Sequence, residues 1–109
     1  MLLFNGEIYN VPQDLSEAEF IIKLYKSEGI EGFRNLDGEY ALCIADFLNA
    51  ELIIATDPFG TKPCFWSRLG GLHVSSYPSS LHAEGIPHEA IHSASPNTSY
   101  RFDLKTFQL

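Results

Sequence analysis

The 109-residue sequence contains no apolar run that approaches the ~20 residues of a membrane-spanning helix. Its N-terminus has no basic region followed by a long apolar stretch, so no signal peptide is visible. Lys and Arg number 7 against 14 Asp and Glu, and they are scattered singly, which disfavours binding to a phosphate backbone. These absences predict a cytoplasmic protein that contacts neither nucleic acid nor membrane.

Cysteine is scarce, since Cys43 and Cys64 are the only two, and both sit inside apolar stretches. They are therefore predicted to be buried free thiols rather than a disulfide. His82, His88 and His92 have the spacing of no recognised metal site, so no metal and no cofactor is expected. No serine lies in a turn typical of a hydrolase nucleophile. An enzyme with a site built from His and Ser residues is therefore a weaker interpretation than the two given at the end of this section.

What the sequence does contain is enough apolar residues, 45%, for one folded domain over residues 1–109, without repeats or a linker. The clearest helix begins after Ser16, an N-cap with Glu19 as its capping-box partner, and ends at Gly29. Short helices are predicted over 30–36 and after Pro78. A strand is predicted at 2–4 and again at 8–9, on either side of a polar insert. Hairpins are predicted from 39–46 and 51–56, within 64–76, and from 100–102 and 106–108.

Residues 39–46, EYALCIAD, are apolar on both faces of the predicted strand. Such a strand must be covered on both sides, and one main helix covers only one of them. The second cover is therefore another sheet, a segment outside these residues, or a second copy of the chain. The predicted class is α+β, with antiparallel sheets packed face to face and flanking helices.

The opening segment MLLFNGEIYN sets an amide, a glycine and a carboxylate side by side at Asn5, Gly6 and Glu7. An Asn amide and a Gly N–H can donate together to one oxyanion, as in acyl-transfer sites. The alternative is an ordinary strand end with a Gly bulge. Glu17 and Glu19 fall in the first helical turn, where the helix dipole alone explains acidic residues.

Several blocks of the sequence, taken in order, resemble the class II glutamine amidotransferase domain, closest to that of asparagine synthetases. The blocks are FNGEIYN (4–10), SEAEFIIKLYKSEG (16–29), LDGEYALCIAD (36–46), IIATDPFGTKPCFW (53–66) and VSSYPSSL (74–81). The resemblance implies an N-terminal-nucleophile fold of two packed antiparallel sheets. It also implies hydrolysis of the glutamine side-chain amide, with ammonia passed to a synthetase domain.

By resemblance, the Asn5 amide and the Gly6 N–H form an oxyanion hole, and Glu7 holds the α-amino group of glutamine. Glu17 stands where the family has a second, aspartate ligand to that group. The family's N-terminal nucleophilic Cys and its carboxylate-binding Arg have no counterpart before Asn5. We therefore expect half of a glutamine pocket, a partial domain that lacks its first strands, without glutaminase activity of its own.

Two functions from different classes follow. The first is an amidotransferase-like domain that binds glutamine or a related amino acid weakly, or that joins a complementary chain carrying the Cys or a synthetase. The second is a homo-oligomeric interaction or regulatory module, in which two copies cover an exposed sheet edge and FNGEIYN is kept for structure.

Overall fold

The computed structural model describes all residues from 1 to 109. It contains seven strands, two α-helices and two short 3-10 segments, Gly29–Asn35 and His88–Ala90. The strands and helices, in chain order, are β1 (Leu2–Ile8), α1 (Glu17–Glu28), β2 (Gly38–Asp46), β3 (Glu51–Thr56), β4 (Phe65–Ser67), β5 (His73–Ser75), α2 (Pro78–Ala83), β6 (His92–Ser93) and β7 (Ser99–Asp103).

The strands form two antiparallel sheets that pack face to face. The larger sheet has the order β1-β2-β3-β7, and the smaller has the order β5-β4-β6. Helix α1 and the first 3-10 helix lie on the other side of the larger sheet. The predicted α+β class with packed antiparallel sheets is confirmed. No helix in the structure has both the length and the apolar character needed to cross a membrane.

Helix α1 begins and ends where its sequence signals predict. The Ser16 hydroxyl accepts from the Glu19 N–H, while the Glu19 carboxylate accepts from the Ser16 N–H, each at 3.1 Å. Gly29 ends the helix at a φ of 67° and donates its N–H to the Tyr25 carbonyl. The helix places Ile21 fully inside the core and its lysines outside. Local capping chemistry therefore determines both ends of this element.

Strand β2 is buried on both faces, as the sequence predicts, and the second cover is a sheet. Tyr40, Leu42 and Ile44 join the core under α1. Ala41 and Cys43 join a second core that includes Trp66 from β4. The indole of Trp66 meets the ring of Phe102 edge-on at 4.9 Å, which locks β4 onto the larger sheet.

Two details of the sequence-based prediction are wrong. The bulge at Gly6 is absent, because β1 pairs with β2 residue for residue from Leu2 through Ile8. The strand therefore includes the polar segment and ends before Tyr9. Residues 99–103 pair with β3 instead of folding back on 106–108, since Phe102 is needed in the core between the sheets. The short helix predicted over 30–36 is present, as a 3-10 helix over Gly29–Asn35.

Candidate functional site

Strand β1 forms one edge of the larger sheet, and its ladder determines which backbone groups stay open. Met1 and Ala45 exchange hydrogen bonds, and the Tyr9 N–H donates to Asp37. In an antiparallel ladder the hydrogen-bonded pairs alternate, so odd-numbered residues of β1 bond to β2 and even-numbered residues point outward. The N–H of Gly6 therefore faces the open edge, where no group of the chain occupies it.

Only glycine fits at position 6. Gly6 has a φ of 130°, a region that side chains rarely adopt. A Cβ built there would also collide with the backbone carbonyl of Glu39 on β2. The local backbone thus depends on the absence of a side chain at Gly6.

The side chains of Asn5 and Glu7 share the face of β1 opposite to α1. Residues two apart on a strand lie about 7 Å apart, a separation that suits two ends of one small molecule. Both side chains are exposed, and neither has a hydrogen-bond or ion-pair partner within the chain. Asn5 lines a cavity of about 250 Å³ between the two sheets, together with both cysteines, Ser75 and Ser76. Of the three predicted residues of β1, the structure places Asn5 at this cavity, whereas Gly6 and Glu7 follow it along the strand and do not line the cavity.

Glu17 reaches the same strand from the helix side. Its carboxylate accepts the Ile8 N–H at 2.6 Å and so occupies one of the outward-facing groups of β1. The Ile8 side chain belongs to the core under α1, so Glu17 and Glu7 approach the strand from opposite faces. Glu17 therefore fastens α1 to the edge of β1, and one of its two oxygens already has this partner.

Negative charge collects at the end of β1. Glu7 lies directly opposite Glu39 in the ladder, and neither is paired with a cation. The pKa of Tyr9 is raised by desolvation first and then by the charges of Glu39, Glu7 and Asp37. Like charges opposite each other on a sheet destabilise it unless a cation lies between them. This end of the strand is therefore suited to a positively charged group.

Neither cysteine is an activated nucleophile. Cys43 and Cys64 are buried free thiols, as predicted. Burial raises the pKa of Cys43 to about 12, with a smaller contribution from Cys64, and it raises the pKa of Cys64 to about 11. Both thiols stay protonated at neutral pH, whereas the thiolate is the nucleophilic form.

The histidines form no metal site and no Ser–His pair. No group of three or more potential metal ligands exists in the structure. His82 stacks on His88 and its Nδ1 lies 3.1 Å from the Ile86 carbonyl, while His92 stacks on Trp66 at 4.3 Å. No serine hydroxyl is bonded to an imidazole. An enzyme built on these residues is therefore not supported by the geometry.

The sequence prediction missed Asp57, which it assigned only to a turn. Asp57 is fully buried, and its carboxylate accepts from the N–H groups of Tyr40, Phe59 and Thr61 and from the Thr61 hydroxyl. The segment DPFGT carried the available signal, because Asp before Pro with Gly and Thr following is typical of a side-chain-supported turn. The partner on β2 could not be read from that segment.

Two packed antiparallel sheets thus carry an open Gly6 N–H and an exposed, unpartnered Asn5 side chain at one strand edge. The family model for the glutamine amidotransferase domain matches residues 1–105, so the chain belongs to that family. Within the family it is of the asparagine synthetase type, as its relatives indicate.

Three relatives illustrate this similarity. A probable glutamine-hydrolysing asparagine synthetase of Acanthamoeba polyphaga mimivirus is 29% identical over 111 residues, covering 92% of this chain and 20% of the relative. The asparagine synthetase of Gallus gallus is 36% identical, covering 59% of this chain and 13% of the relative. A putative asparagine synthetase of Methanocaldococcus jannaschii is 38% identical, covering 60% and 14%. The chain thus spans 20% or less of the length of these relatives.

Proposed function

We propose that this domain supplies the substrate-holding half of a glutamine site. The observation that carries the proposal is the outward-facing Gly6 N–H beside the unpartnered Asn5 side chain. Both groups are donors on a rigid strand, in the arrangement that stabilises the oxyanion of a tetrahedral acyl-transfer intermediate. Because Gly6 has no Cβ, a ligand amide can approach the backbone closely.

Glu7 is the proposed partner of the α-ammonium group of glutamine. Its carboxylate faces Glu39 without an intervening cation, so an ammonium group there relieves repulsion between the two acids. Glu17, on the other side of the strand, is proposed as a second contact through the oxygen that Ile8 does not use. The α-ammonium and the side-chain amide of one glutamine would then lie along a single strand edge.

These 109 residues are proposed to hold glutamine without hydrolysing it. Oxyanion donors stabilise an intermediate only after a nucleophile has attacked, and both thiols present are buried and protonated. A nucleophile would have to come from a segment or chain outside the residues described here. The synthetase step named for the relatives would likewise belong to a further domain or a partner.

The experiment is a calorimetric titration of L-glutamine with a parallel assay of ammonia release. We expect weak binding, at about millimolar Kd, and no ammonia above a heat-treated control. Glu7→Gln should weaken binding about tenfold or more, because it removes the charge that faces the ammonium group. Glu89→Gln is the matched control, since Glu89 is exposed, unpaired and distant in the fold.

Ammonia release in proportion to protein would contradict the inactive state proposed for these residues. Equal binding by the Glu7→Gln and Glu89→Gln variants would contradict the ammonium contact. Unchanged melting temperatures in both variants would show that a loss of affinity does not reflect unfolding.

Self-association is the second candidate, and one observation favours it. Within these residues β1 is a sheet edge with open backbone groups, and Leu3 is 53% exposed beside it. Such edges pair with other strands unless charge or proline protects them. Leu3→Lys should therefore lower the mass measured by light scattering, while Leu69→Lys, at an equally exposed leucine, should not. A monomeric unmodified chain would contradict this candidate.

A further inference from the structure

A second polar cavity lies on the opposite side of the larger sheet from Asn5 and Glu7. Its volume is about 470 Å³, within the range of small-molecule sites. The first 3-10 helix, the start of β2 and the loop before β7 enclose it. Ile30, Phe33, Leu36 and Pro58 supply its apolar surface, and Tyr40, Asn97 and Ser99 supply polar groups.

The Tyr40 hydroxyl is an open polar group of this cavity. Tyr40 is only 3% exposed and its hydroxyl makes no hydrogen bond within the chain, but the hydroxyl oxygen is still reached by solvent from the cavity. Because the hydroxyl can both donate and accept, it is free to bond to a ligand that enters the cavity. Two hydrogen bonds hold the Tyr40 backbone to Asp57. The Tyr40 N–H donates to the Asp57 carboxylate at 3.0 Å, and the Asp57 N–H donates to the Tyr40 carbonyl at 3.1 Å. The backbone that carries the ring is therefore fixed in place.

Asn97 and Ser99 form the facing wall. Neither side chain has a hydrogen-bond partner in the chain. Asn97 has a φ of 52°, in the left-handed region, and its N–H donates to the Asp57 carbonyl at 2.8 Å. Asp57 thus fixes both walls of the cavity, Tyr40 through β2 and Asn97 through the loop. The DPFGT segment, through Asp57, therefore holds the backbone on both sides of this cavity. It takes no part in the proposed glutamine site.

The rim carries one charge of each sign. Arg34 and Glu31 form an ion pair at 3.0 Å, and their side chains are 81% and 69% exposed. An exposed pair of this kind contributes little to stability, so a ligand can insert between the two charges at small cost. A zwitterion matches such a rim, because it offers a carboxylate to Arg34 and an ammonium group to Glu31.

We propose that this cavity binds a free α-amino acid with a short polar side chain. Arg34 holds the α-carboxylate and Glu31 the α-ammonium group. The side chain of the ligand reaches the Tyr40 hydroxyl and the Asn97 amide. None of these residues belongs to the β1 edge, so this site stands or falls independently of the glutamine site.

The test is a calorimetric titration with L-serine and L-asparagine. We expect binding of at least one probe, weakened about three- to tenfold by Tyr40→Phe, which removes one hydroxyl and leaves the ring. Tyr77→Phe is the matched control, since Tyr77 is exposed elsewhere. Arg34→Gln should weaken binding about tenfold or more, and Arg68→Gln should not. Tyr40→Phe should keep the melting temperature, because the lost hydroxyl has no partner in the chain.

Modified probes test the zwitterion directly. The methyl ester and the N-acetyl derivative of the bound amino acid each remove one charge. The affinity for each should therefore fall by about tenfold or more. Absence of binding by both amino acids up to about 10 mM would overturn the proposal. Binding that Glu7→Gln abolishes and Tyr40→Phe leaves intact would also overturn it, because the ligand would then occupy the β1 edge.

Discussion

Replacing Asp57 by Ala should destabilise the domain more than any change at an exposed acid. The buried carboxylate of Asp57 accepts the Tyr40 N–H at 3.0 Å, the Phe59 N–H at 2.9 Å, and the Thr61 N–H and hydroxyl at 3.2 and 2.7 Å. These bonds join β2 to the loop after β3. The segment therefore depends on one charged acceptor that no other group can replace.

The magnitude follows from the donors left behind. The Tyr40 N–H lies in the core, and a buried donor without an acceptor costs about 1–3 kcal/mol. The loop donors of Phe59 and Thr61 can turn to water, so each loss is about 0.5–1.5 kcal/mol. The four lost hydrogen bonds together give about 2.5–7.5 kcal/mol for Asp57→Ala, a large part of the 5–15 kcal/mol that stabilises a typical domain.

Urea unfolding followed by circular dichroism measures this loss. Asp57→Asn keeps the shape but turns one acceptor into a donor, so its loss should fall between those of Asp57→Ala and Thr61→Val. Thr61→Val removes a single hydroxyl bond, at about 1 kcal/mol. Asp14→Ala is the control, because Asp14 is exposed and its carboxylate has no hydrogen-bond or ion-pair partner in the chain. A free energy of unfolding for Asp57→Ala within about 1 kcal/mol of the unmodified chain would refute the reasoning.

The pH dependence provides an independent check on Asp57. Burial raises its pKa, but the hydrogen bonds from Thr61, Tyr40 and Phe59 outweigh burial, so the net shift is downward. Its contribution to stability is therefore complete above the unfolded pKa of about 3.9 and is lost as the pH falls through the lower folded value. Unfolding free energy should fall on acidification below about pH 4, and less steeply in Asp57→Asn.

Three further predictions concern other parts of the domain. Gly6→Ala should prevent folding or lower the free energy of unfolding in urea by about 3 kcal/mol or more, because the added Cβ collides with the Glu39 carbonyl. An unchanged urea midpoint would contradict this. Tyr25→Phe should raise the pKa of Asp46 from about 2, since the lost hydroxyl bond is the main cause of its depression, and carbon-detected NMR titration measures the shift. The buried cysteines should react with a thiol reagent at pH 8 only as fast as the chain opens, because their pKa values are raised; rapid labelling of the folded chain would contradict it.

Features that depend on neighbours in the sequence could be predicted. The capping box of Ser16 and Glu19 needs only residues three apart, and the structure contains it. Successive residues of a strand point to opposite faces of the sheet, and all residues from Tyr40 to Ala45 are apolar. Burial of this strand on both faces could therefore be predicted from the sequence alone. The kind of cover was left open, and the structure shows that it is the sheet containing Trp66.

Features that depend on distant partners could not be predicted. The contacts of Asp57 with Tyr40 and Asn97 join distant segments, whereas its sequence context indicates only the local turn with Phe59 and Thr61. Residues 99–103 have the local signature of a hairpin arm, yet burial of Phe102 between the sheets favours pairing with β3. At β1, the sequence suggested the donors, but only the register determines that the Gly6 N–H faces outward.

The most direct test of the proposed glutamine site is a titration of L-glutamine followed by two-dimensional NMR of the ¹⁵N-labelled chain. The account predicts saturable shifts of the Gly6 backbone amide and of the Asn5 side-chain amide, because both groups donate to the ligand. The same shifts should vanish in the Glu7→Gln variant. Saturation that moves other amides while those of Gly6 and Asn5 stay fixed would contradict the account.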